Sequence, residues 1–302
     1  MAKVKHYLSL VKFSHTIFAM PFAMIGFVLG VSALPENSWK GWNIHFSTDS
    51  DVNYIITKLL LVLVCMVSAR SAAMAFNRYL DRNFDAKNPR TSIREIPAGI
   101  ITANGALWFT IFSSLVFTVA TYFINTMCFL LSPVALFVIL FYSFTKRFTS
   151  LCHLVLGLGL ALAPIGAYLA VTNQWAIMPV LFSFTVLFWV SGFDIIYAMQ
   201  DVEFDREHAL HSIPVALGRR GALNLSNVLH ILAGLLVIAA GFYGEMGWLY
   251  WFGVVVFIGA LVYQHSIVSP NDLSRVNIAF MTANGIASVV FGCFVIADIL
   301  LK

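Results

Sequence analysis

Long apolar segments recur along the whole chain and leave few folds open to it. Each is about 18 residues or longer, which is the length a helix needs to cross the roughly 30 Å hydrocarbon layer of a membrane. We therefore expect an all-α membrane protein. The sequence predicts nine spans, near residues 15–33, 54–76, 104–123, 126–143, 153–171, 177–200, 222–242, 247–267 and 277–299.

The composition excludes a soluble domain of this size. Of the 302 residues, 60% are hydrophobic and only 11% are charged, and the mean hydropathy is +0.86. A soluble domain of this length needs far more charged residues to cover its surface. The chain is therefore expected to lie in a lipid bilayer.

The basic residues indicate how the helices are oriented, because cytoplasmic loops of membrane proteins carry an excess of lysine and arginine. With the N-terminus inside, the internal side receives the first lysines, the basic cluster within 78–94 and most later arginines. The external side keeps little more than Lys40, Lys58 and Lys302. We predict a cytoplasmic N-terminus and a location in the cytoplasmic (inner) membrane.

Charged residues gather in two short stretches, which follow the second and the sixth predicted span. The first stretch runs from Asn77 to Glu95, where eight of nineteen residues are charged. The second stretch is FDIIYAMQDVEFDREH, residues 193–208. By the predicted orientation, both stretches face the cytoplasm.

Helical geometry places the acidic residues of each stretch on one face. At 100° per residue, Asn77, Asp81 and Asp85 fall within an arc of about 80°. In the second stretch, Glu203 and Glu207 are predicted to point away from a shared polar face. That face is formed by Asp194, Tyr197, Asp201 and Asp205.

Two sets of carboxylates beside a membrane predict a bound divalent cation. An ionised carboxylate near the bilayer costs roughly 2.5–3.5 kcal/mol on insertion scales, and neighbouring carboxylates repel each other. Mg²⁺ relieves both penalties, because it takes one or two carboxylates, keeps several waters and completes its shell with substrate phosphates. The alternative is that the aspartates only cap helix ends and form loop salt bridges. Two clusters with matched spacing on one side favour the metal.

Basic residues near the two stretches fall into two groups. Arg70 lies inside the second span, two turns before Asn77 and on the same face, where an arginine is a functional candidate. Lys146, at the internal end of the fourth span, is placed to neutralise phosphate charge. For Arg90 and Arg147 we expect membrane anchoring under the positive-inside rule instead.

The two stretches resemble the aspartate-rich motifs of the UbiA-type membrane prenyltransferases. The family's first motif, Asn-x-x-x-Asp-x-x-x-Asp with a following Arg-Thr and Arg-x-x-Pro-x-Gly, is matched by NRYLDRNFDAKNPRTSIREIPAG. The second motif is matched by DIIYAMQDVEFD, and the stretch between the fourth and fifth helices by YSFTKRFT and LGLGLALAPIGAYLAV. The resemblance covers nearly the whole chain in order. Arg78 departs from it, standing where many members carry an aspartate.

This resemblance implies nine helices around a central cavity, in a single transmembrane domain over residues 1–302. It also implies Mg²⁺-dependent transfer of a polyprenyl chain from its diphosphate to an aromatic acid. Asp194 would orient or deprotonate the acceptor, with Tyr197 nearby. The implied ligands are, for the metal, Asn77, Asp81, Asp85, Asp201 and Asp205, and, for the diphosphate, Arg70, Lys146 and Arg94.

Two acceptors stay open at this point. The overall pattern most resembles the 4-hydroxybenzoate polyprenyltransferases of quinone biosynthesis. The start, VKFSHTIFAMPFAMIGF, and the FNR variant also resemble relatives that prenylate a naphthoate on a menaquinone route.

The alternative from a different class is a cation-coupled transporter, which predicts charges near mid-membrane and repeat symmetry. We expect no nucleic-acid partner and no obligate protein partner.

Overall fold

The computed structural model describes residues 6–7, 9–11, 18–34 and 49–302, and the regular secondary structure of these residues is helical throughout. A short 3-10 helix covers Met199–Asp201 and a π-helix covers Ile278–Ala283. The α-helices are α1 Met20–Ser32, α2 Asp49–Asp85, α3 Ala103–Ile124, α4 Thr126–Thr145, α5 Cys152–Thr172, α6 Ile177–Ala198, α7 Val202–Glu207, α8 Ile213–Tyr243, α9 Trp248–Ile267 and α10 Asn284–Leu301.

Within the described ranges, eight helical segments are long and apolar enough to cross a membrane. They agree with the second to ninth predicted spans, so the prediction of an all-α membrane protein is confirmed. The predicted first span, 15–33, is described only from residue 18, and the apolar helix α1 within it has 13 residues. The count of nine spans stays a prediction.

Polar residues set several of the helix ends. The side chain of Thr102 accepts a hydrogen bond from the Gly105 backbone N–H at the start of α3. Asn125 caps α4 in the same way through the Cys128 N–H. Such caps satisfy backbone N–H groups that have no partner inside the helix. Because each long helix is able to cross the bilayer, consecutive long helices run in opposite directions.

This alternation gives the bundle two polar ends. The motif end is formed by the connections 86–102, 146–151, 199–212 and 268–277. The far end is formed by Asn125 and the connections 173–176 and 244–247. The helix that contains the second predicted span is longer than that span. α2 continues to Asp85 and carries the acidic residues of the first stretch on its last turns.

The core of the bundle is aromatic and surrounds α1, which packs against α5 and α10. The ring of Phe22 lies 5.4 Å from Trp189 and 5.7 Å from Phe291, so α1 is tied to α6 and α10. In contrast, α3 and α4 expose large apolar side chains such as Trp108 and Leu130, which are 71% and 68% exposed. Such faces suit lipid, since lipid tails are as apolar as these side chains.

Candidate active site

A cavity of about 170 Å³ opens at the motif end, among α2, α4, α5, α6 and the connections 86–102, 146–151 and 199–212. Both acidic stretches reach it, as the shared-face argument predicts. Glu203 and Glu207, which were predicted to point elsewhere, do not line it. Of the predicted site residues, those lining the cavity are Asn77, Asp81, Asp85, Arg94, Lys146, Asp194, Tyr197, Asp201 and Asp205.

The first acidic stretch presents its polar groups from successive turns of α2. The Asn77 amide donates to Asp81 Oδ2 at 2.9 Å, which links two of the turns. Arg147 Nη2 lies 2.9 Å from Asp81 Oδ1. Arg94 Nη1 lies 2.6 Å from Asp85 Oδ1. Asp81 is therefore held by an arginine that follows α4, and Asp85 by an arginine from the connection that follows α2.

The second acidic stretch is not one continuous helix. α6 ends at Ala198, and the 3-10 turn that follows delivers Asp201 before α7 begins. Arg90 binds Asp201 with two nitrogens, Nε to Oδ1 at 3.0 Å and Nη2 to Oδ2 at 2.5 Å. Lys146 Nζ lies 2.7 Å from Oδ1 of Asp205, whose side chain is 1% exposed.

The basic residues cross-link the two acidic stretches. In the connection after α2, Arg94 turns back to the first stretch and Arg90 reaches the second. At the end of α4, Arg147 pairs with the first stretch and Lys146 with the second. The expectation that Arg90 and Arg147 only anchor the protein is therefore wrong. Both line the cavity and hold an aspartate of it.

The aspartates keep their basic partners charged. Burial of the Lys146 ammonium favours its neutral form, but the Asp205 carboxylate outweighs burial and raises the pKa of Lys146 above its ordinary value. The same balance holds at Arg90. Burial lowers the pKa of its guanidinium, but the bonds to Asp201 outweigh burial, so the pKa lies above its ordinary value. Both side chains therefore carry a positive charge at neutral pH.

Tyr197 connects the cavity to the apolar core. Its hydroxyl accepts a hydrogen bond from Arg90 Nη1 at 2.9 Å. Its ring packs on Phe280, with centroids 4.3 Å apart, and Phe280 belongs to the π-helix before α10. The packed ring fixes the direction of the hydroxyl, so Tyr197 and Arg90 are held as a unit.

Comparison with known proteins identifies the architecture. The model of the UbiA prenyltransferase family matches residues 20–286. This chain belongs to the UbiA prenyltransferase family. It is 29% identical over 236 residues to the 4-hydroxybenzoate octaprenyltransferase of Francisella tularensis subsp. novicida (strain U112), which covers 78% of this chain and 83% of the relative.

Two solved structures of UbiA homologs share the fold. The apo structure of a homolog from Aeropyrum pernix K1 superposes with a TM-score of 0.79 at 29% identity, over 94% of this chain and 98% of that one. A homolog from Archaeoglobus fulgidus bound to GPP and Mg²⁺ gives a TM-score of 0.74 at 20% identity, over 97% and 99%. Family membership argues against the transporter alternative.

Two of the arginines singled out in the sequence of this UbiA-family chain do not line the cavity. Arg70, a predicted diphosphate ligand, lies deeper in α2 than the motif and is not among the lining residues. Arg78, the departure from the family pattern, is 5% exposed and does not line the cavity either. The substitution at position 78 therefore removes no side chain from the cavity wall.

Sequence reasoning missed several lining residues, which include Asn88, Tyr142 and His153. His153 Nδ1 lies 2.7 Å from Asp194 Oδ2, although the two residues are 41 positions apart. No spacing within one helix could reveal this contact, because it depends on how α5 packs against α6. The one signal in the sequence was a histidine at the start of the predicted span 153–171.

The cavity offers few carboxylate oxygens to a cation, and this suits Mg²⁺. Among the described residues, no group of three or more His, Cys, Asp or Glu side chains is close enough to hold a metal ion by itself. Yet Asp85 Oδ2 and Asp205 Oδ2 are buried and have no hydrogen-bond partner in this part of the chain. Buried oxygens without partners are costly. They suit a cation that binds few carboxylates and completes its shell with waters and phosphates.

Proposed function

We propose that this protein transfers a polyprenyl chain from its diphosphate to an aromatic acid, with 4-hydroxybenzoate as the acceptor, in ubiquinone or menaquinone biosynthesis. The observation that carries the proposal is the cavity, where four aspartates and four basic side chains form ion pairs at one end of a lipid-facing bundle. The name of the Francisella relative and the ligands of the Archaeoglobus homolog support it.

Binding of the diphosphate would proceed by an exchange of partners. The basic side chains now neutralise the aspartates, and a diphosphate presents more negative charge to them than a carboxylate does. When Arg90, Arg94, Lys146 and Arg147 turn to its oxygens, the aspartates lose their partners. Charge-assisted bonds of this kind stabilise the leaving diphosphate as its bond to the prenyl carbon breaks.

The aspartates freed in this way would hold Mg²⁺. When bound, the ion supplies positive charge that stabilises the departing diphosphate. Repulsion among the carboxylates makes them unstable without a cation, so metal and diphosphate are expected to bind together. The residues proposed to hold the ion are Asn77, Asp81, Asp85, Asp201 and Asp205.

The membrane position follows from the same geometry. An apolar prenyl tail needs an apolar surrounding, while its diphosphate needs the charged cavity. The bundle offers apolar faces along its helices and the charged cavity at their motif end. The described connections at the motif end carry most of the basic residues, and the far end carries Lys302. By the positive-inside rule we place the cavity on the cytoplasmic side of the cytoplasmic membrane. The proposal treats residues 1–302 as one transmembrane domain.

The test is turnover by the purified full-length protein in detergent, with a long-chain prenyl diphosphate, 4-hydroxybenzoate and either Mg²⁺ or EDTA. We expect turnover with Mg²⁺ alone, and loss of turnover in Asp81→Ala and Asp201→Ala. Glu203→Ala is the matched control, because Glu203 belongs to the same stretch but pairs with Arg219 outside the cavity. Equal turnover with EDTA, or full activity in the aspartate variants, would refute the proposed site. Transfer only to a naphthoate would change the acceptor.

A further inference from the structure

One ionisable contact in the cavity differs from the others. Four aspartates, Asp81, Asp85, Asp201 and Asp205, pair with arginine or lysine, whereas Asp194 pairs with the imidazole of His153. The Nδ1–Oδ2 distance is 2.7 Å, and the side chain of His153 is 4% exposed against 19% for Asp194. Both line the same cavity as the aspartates of the two motifs. A buried imidazole beside a carboxylate is an arrangement that moves protons in many enzymes.

The close approach of α5 and α6 fixes the imidazole in place. A Cβ atom at Gly157 would lie 2.3 Å from Ser191 Oγ and 2.5 Å from the Leu187 carbonyl oxygen, so only glycine fits at this crossing. One turn earlier on α5, the His153 carbonyl oxygen lies 3.1 Å from the Ser191 hydroxyl, which also donates to the Leu187 carbonyl oxygen at 2.7 Å. The same approach brings Asp194, one turn further along α6, against the ring of His153.

The other ring nitrogen is free for a ligand. His153 Nε2 is buried and has no hydrogen-bond partner among the described residues. When Nδ1–H donates to the Asp194 carboxylate, a neutral ring keeps its lone pair on Nε2. Buried polar atoms are ordinarily hydrogen-bonded, so a buried nitrogen without a partner in a cavity wall indicates a missing partner. The Ser-His-Asp triads divide the work of the ring in the same way.

We propose that His153 Nε2 takes the proton of the acceptor's ring hydroxyl, and that Asp194 positions the imidazole for this step. The inference rests on the proposed function, since it needs a phenolic acceptor. His153 suits the task better than Asp194, because Asp194 Oδ2 is already bonded to His153 Nδ1, whereas His153 Nε2 has no partner among the described residues. Asp194 then acts through His153.

The step balances without another reactant. The O–H bond breaks, its proton goes to Nε2, and its electron pair stays on oxygen, which raises the electron density of the neighbouring ring carbon. That carbon bonds to the prenyl carbon as the C–O bond to the diphosphate breaks and its electrons leave with the diphosphate. The ring carbon then loses its hydrogen as a proton to the diphosphate. The proton on Nε2 returns to the ring oxygen.

The experiment compares two acceptors in the full-length protein with Mg²⁺ and one prenyl diphosphate. These are 4-hydroxybenzoate and 3-fluoro-4-hydroxybenzoate, whose hydroxyl is more acidic and which still has one free carbon beside it. For His153→Gln we expect kcat on 4-hydroxybenzoate to fall by about 10²–10⁴-fold. The loss on the fluorinated acceptor should be at least about tenfold smaller, because a more acidic hydroxyl needs its base less. The KM for the prenyl diphosphate should stay unchanged.

Asp194→Asn provides a second variant that keeps the imidazole. It should show the same smaller loss on the fluorinated acceptor, since it disturbs the ring that acts as base. Full activity of His153→Gln, or equal losses on both acceptors in both variants, would overturn the role of His153 and leave the proposed function standing. A wild-type protein that alkylates neither acceptor would overturn the proposed function, and this role with it.

Discussion

The two ends of the bundle use their charged side chains in different ways. At the motif end, aspartates contact the charged tips of other side chains, as Asp81 does with Arg147 at 2.9 Å. At the far end, Asp298 bonds to backbone instead. Its two oxygens accept from the N–H groups of Gly247 at 2.7 Å and Tyr250 at 3.2 Å, at the start of α9. The first kind of contact joins two movable groups, and the second completes a helix end.

Cations follow the same division. At the far end, the Lys58 ammonium donates to the Ile124 carbonyl oxygen at the end of α3. Lys302 donates to the Glu245 carbonyl oxygen at 2.7 Å, just after α8. A backbone N–H or carbonyl group is held in place by its helix and cannot turn to a ligand. A side-chain partner can turn to a ligand, so charged residues bonded to each other mark the part of this chain where a ligand is expected.

The sharpest test of this division compares two buried aspartates, Asp205 and Asp298, which are 1% and 5% exposed. Asp205→Ala should lower turnover by about 10²–10³-fold, because it removes a group that acts on the reacting diphosphate site. Asp298→Ala should leave turnover of folded protein unchanged. It should instead lower the free energy of unfolding by about 0.5–2 kcal/mol, the usual value of a lost N-terminal cap.

Turnover and the thermal unfolding midpoint, measured on both variants in the same detergent, check this prediction. Lys146 is 33% exposed and can regain water when Asp205 is lost, so the midpoint of Asp205→Ala should stay near that of the wild type. A similar loss of both turnover and midpoint in the two variants would show that the ends do not differ in use.

A second prediction concerns the helix crossing that shapes the motif end. Gly157→Ala should lower the free energy of unfolding by about 1–3 kcal/mol, because the added methyl overlaps Ser191 and the backbone of α6. Turnover should fall as well, because the overlap pushes α5 away from α6 and thereby moves His153 away from Asp194. Gly159→Ala is the control on the same helix, where a Cβ would meet Ile139 at an ordinary 3.5 Å. Equal unfolding midpoints for both variants would contradict the tight crossing.

The sequence was a good guide to the helices for a physical reason. Crossing a bilayer requires a long uninterrupted apolar run, and that requirement is visible without any tertiary contact. Spacing by four along α2 likewise predicted that Asn77, Asp81 and Asp85 share a face, and all three line the cavity. Both signals depend only on residues that are close along the chain.

The ion pairs were beyond the reach of the same reasoning. Arg147 and Asp81 are 66 positions apart, and Arg90 and Asp201 are 111 apart. Their meeting depends on how the connections fold over the cavity, which no local pattern records. The positive-inside rule explains why basic residues lie on this side, but it does not distinguish a residue that faces water from one that reaches into the site.

The 3-10 turn in the second motif was also missed. Met199–Asp201 contains no glycine or proline, the residues that most often reveal a break in a helix. The face assignment survived because the break is short and Asp201 and Asp205 still line the cavity. In α8, by contrast, a glycine does mark a break. Gly218 adopts φ 68° and separates the first turn of α8 from the predicted span 222–242.

A third prediction tests whether the shape of a side-chain partner matters at the motif end. Arg90→Lys keeps the charge but loses the planar fork that binds both oxygens of Asp201 and reaches Tyr197. We expect the KM for the prenyl diphosphate to rise about tenfold, with a smaller change in kcat. Arg219→Lys, in an exposed pair with Glu203, is the control and should change neither. Unchanged KM in both would show that Arg90 does not contact the diphosphate.

The smallest expected effect lies at the far end, at Lys302. Its ammonium donates to two carbonyl oxygens after α8, where a cation also interacts favourably with the helix dipole. Lys302→Ala should therefore lower the free energy of unfolding by about 0.3–1 kcal/mol, read from the thermal midpoint, and leave kcat and both KM values unchanged. Lys302→Arg should restore the midpoint, because an arginine at this position can reach the same oxygens. A change in KM with an unchanged midpoint would mean that a far-end cation acts on substrate, and the division between the two ends would fail.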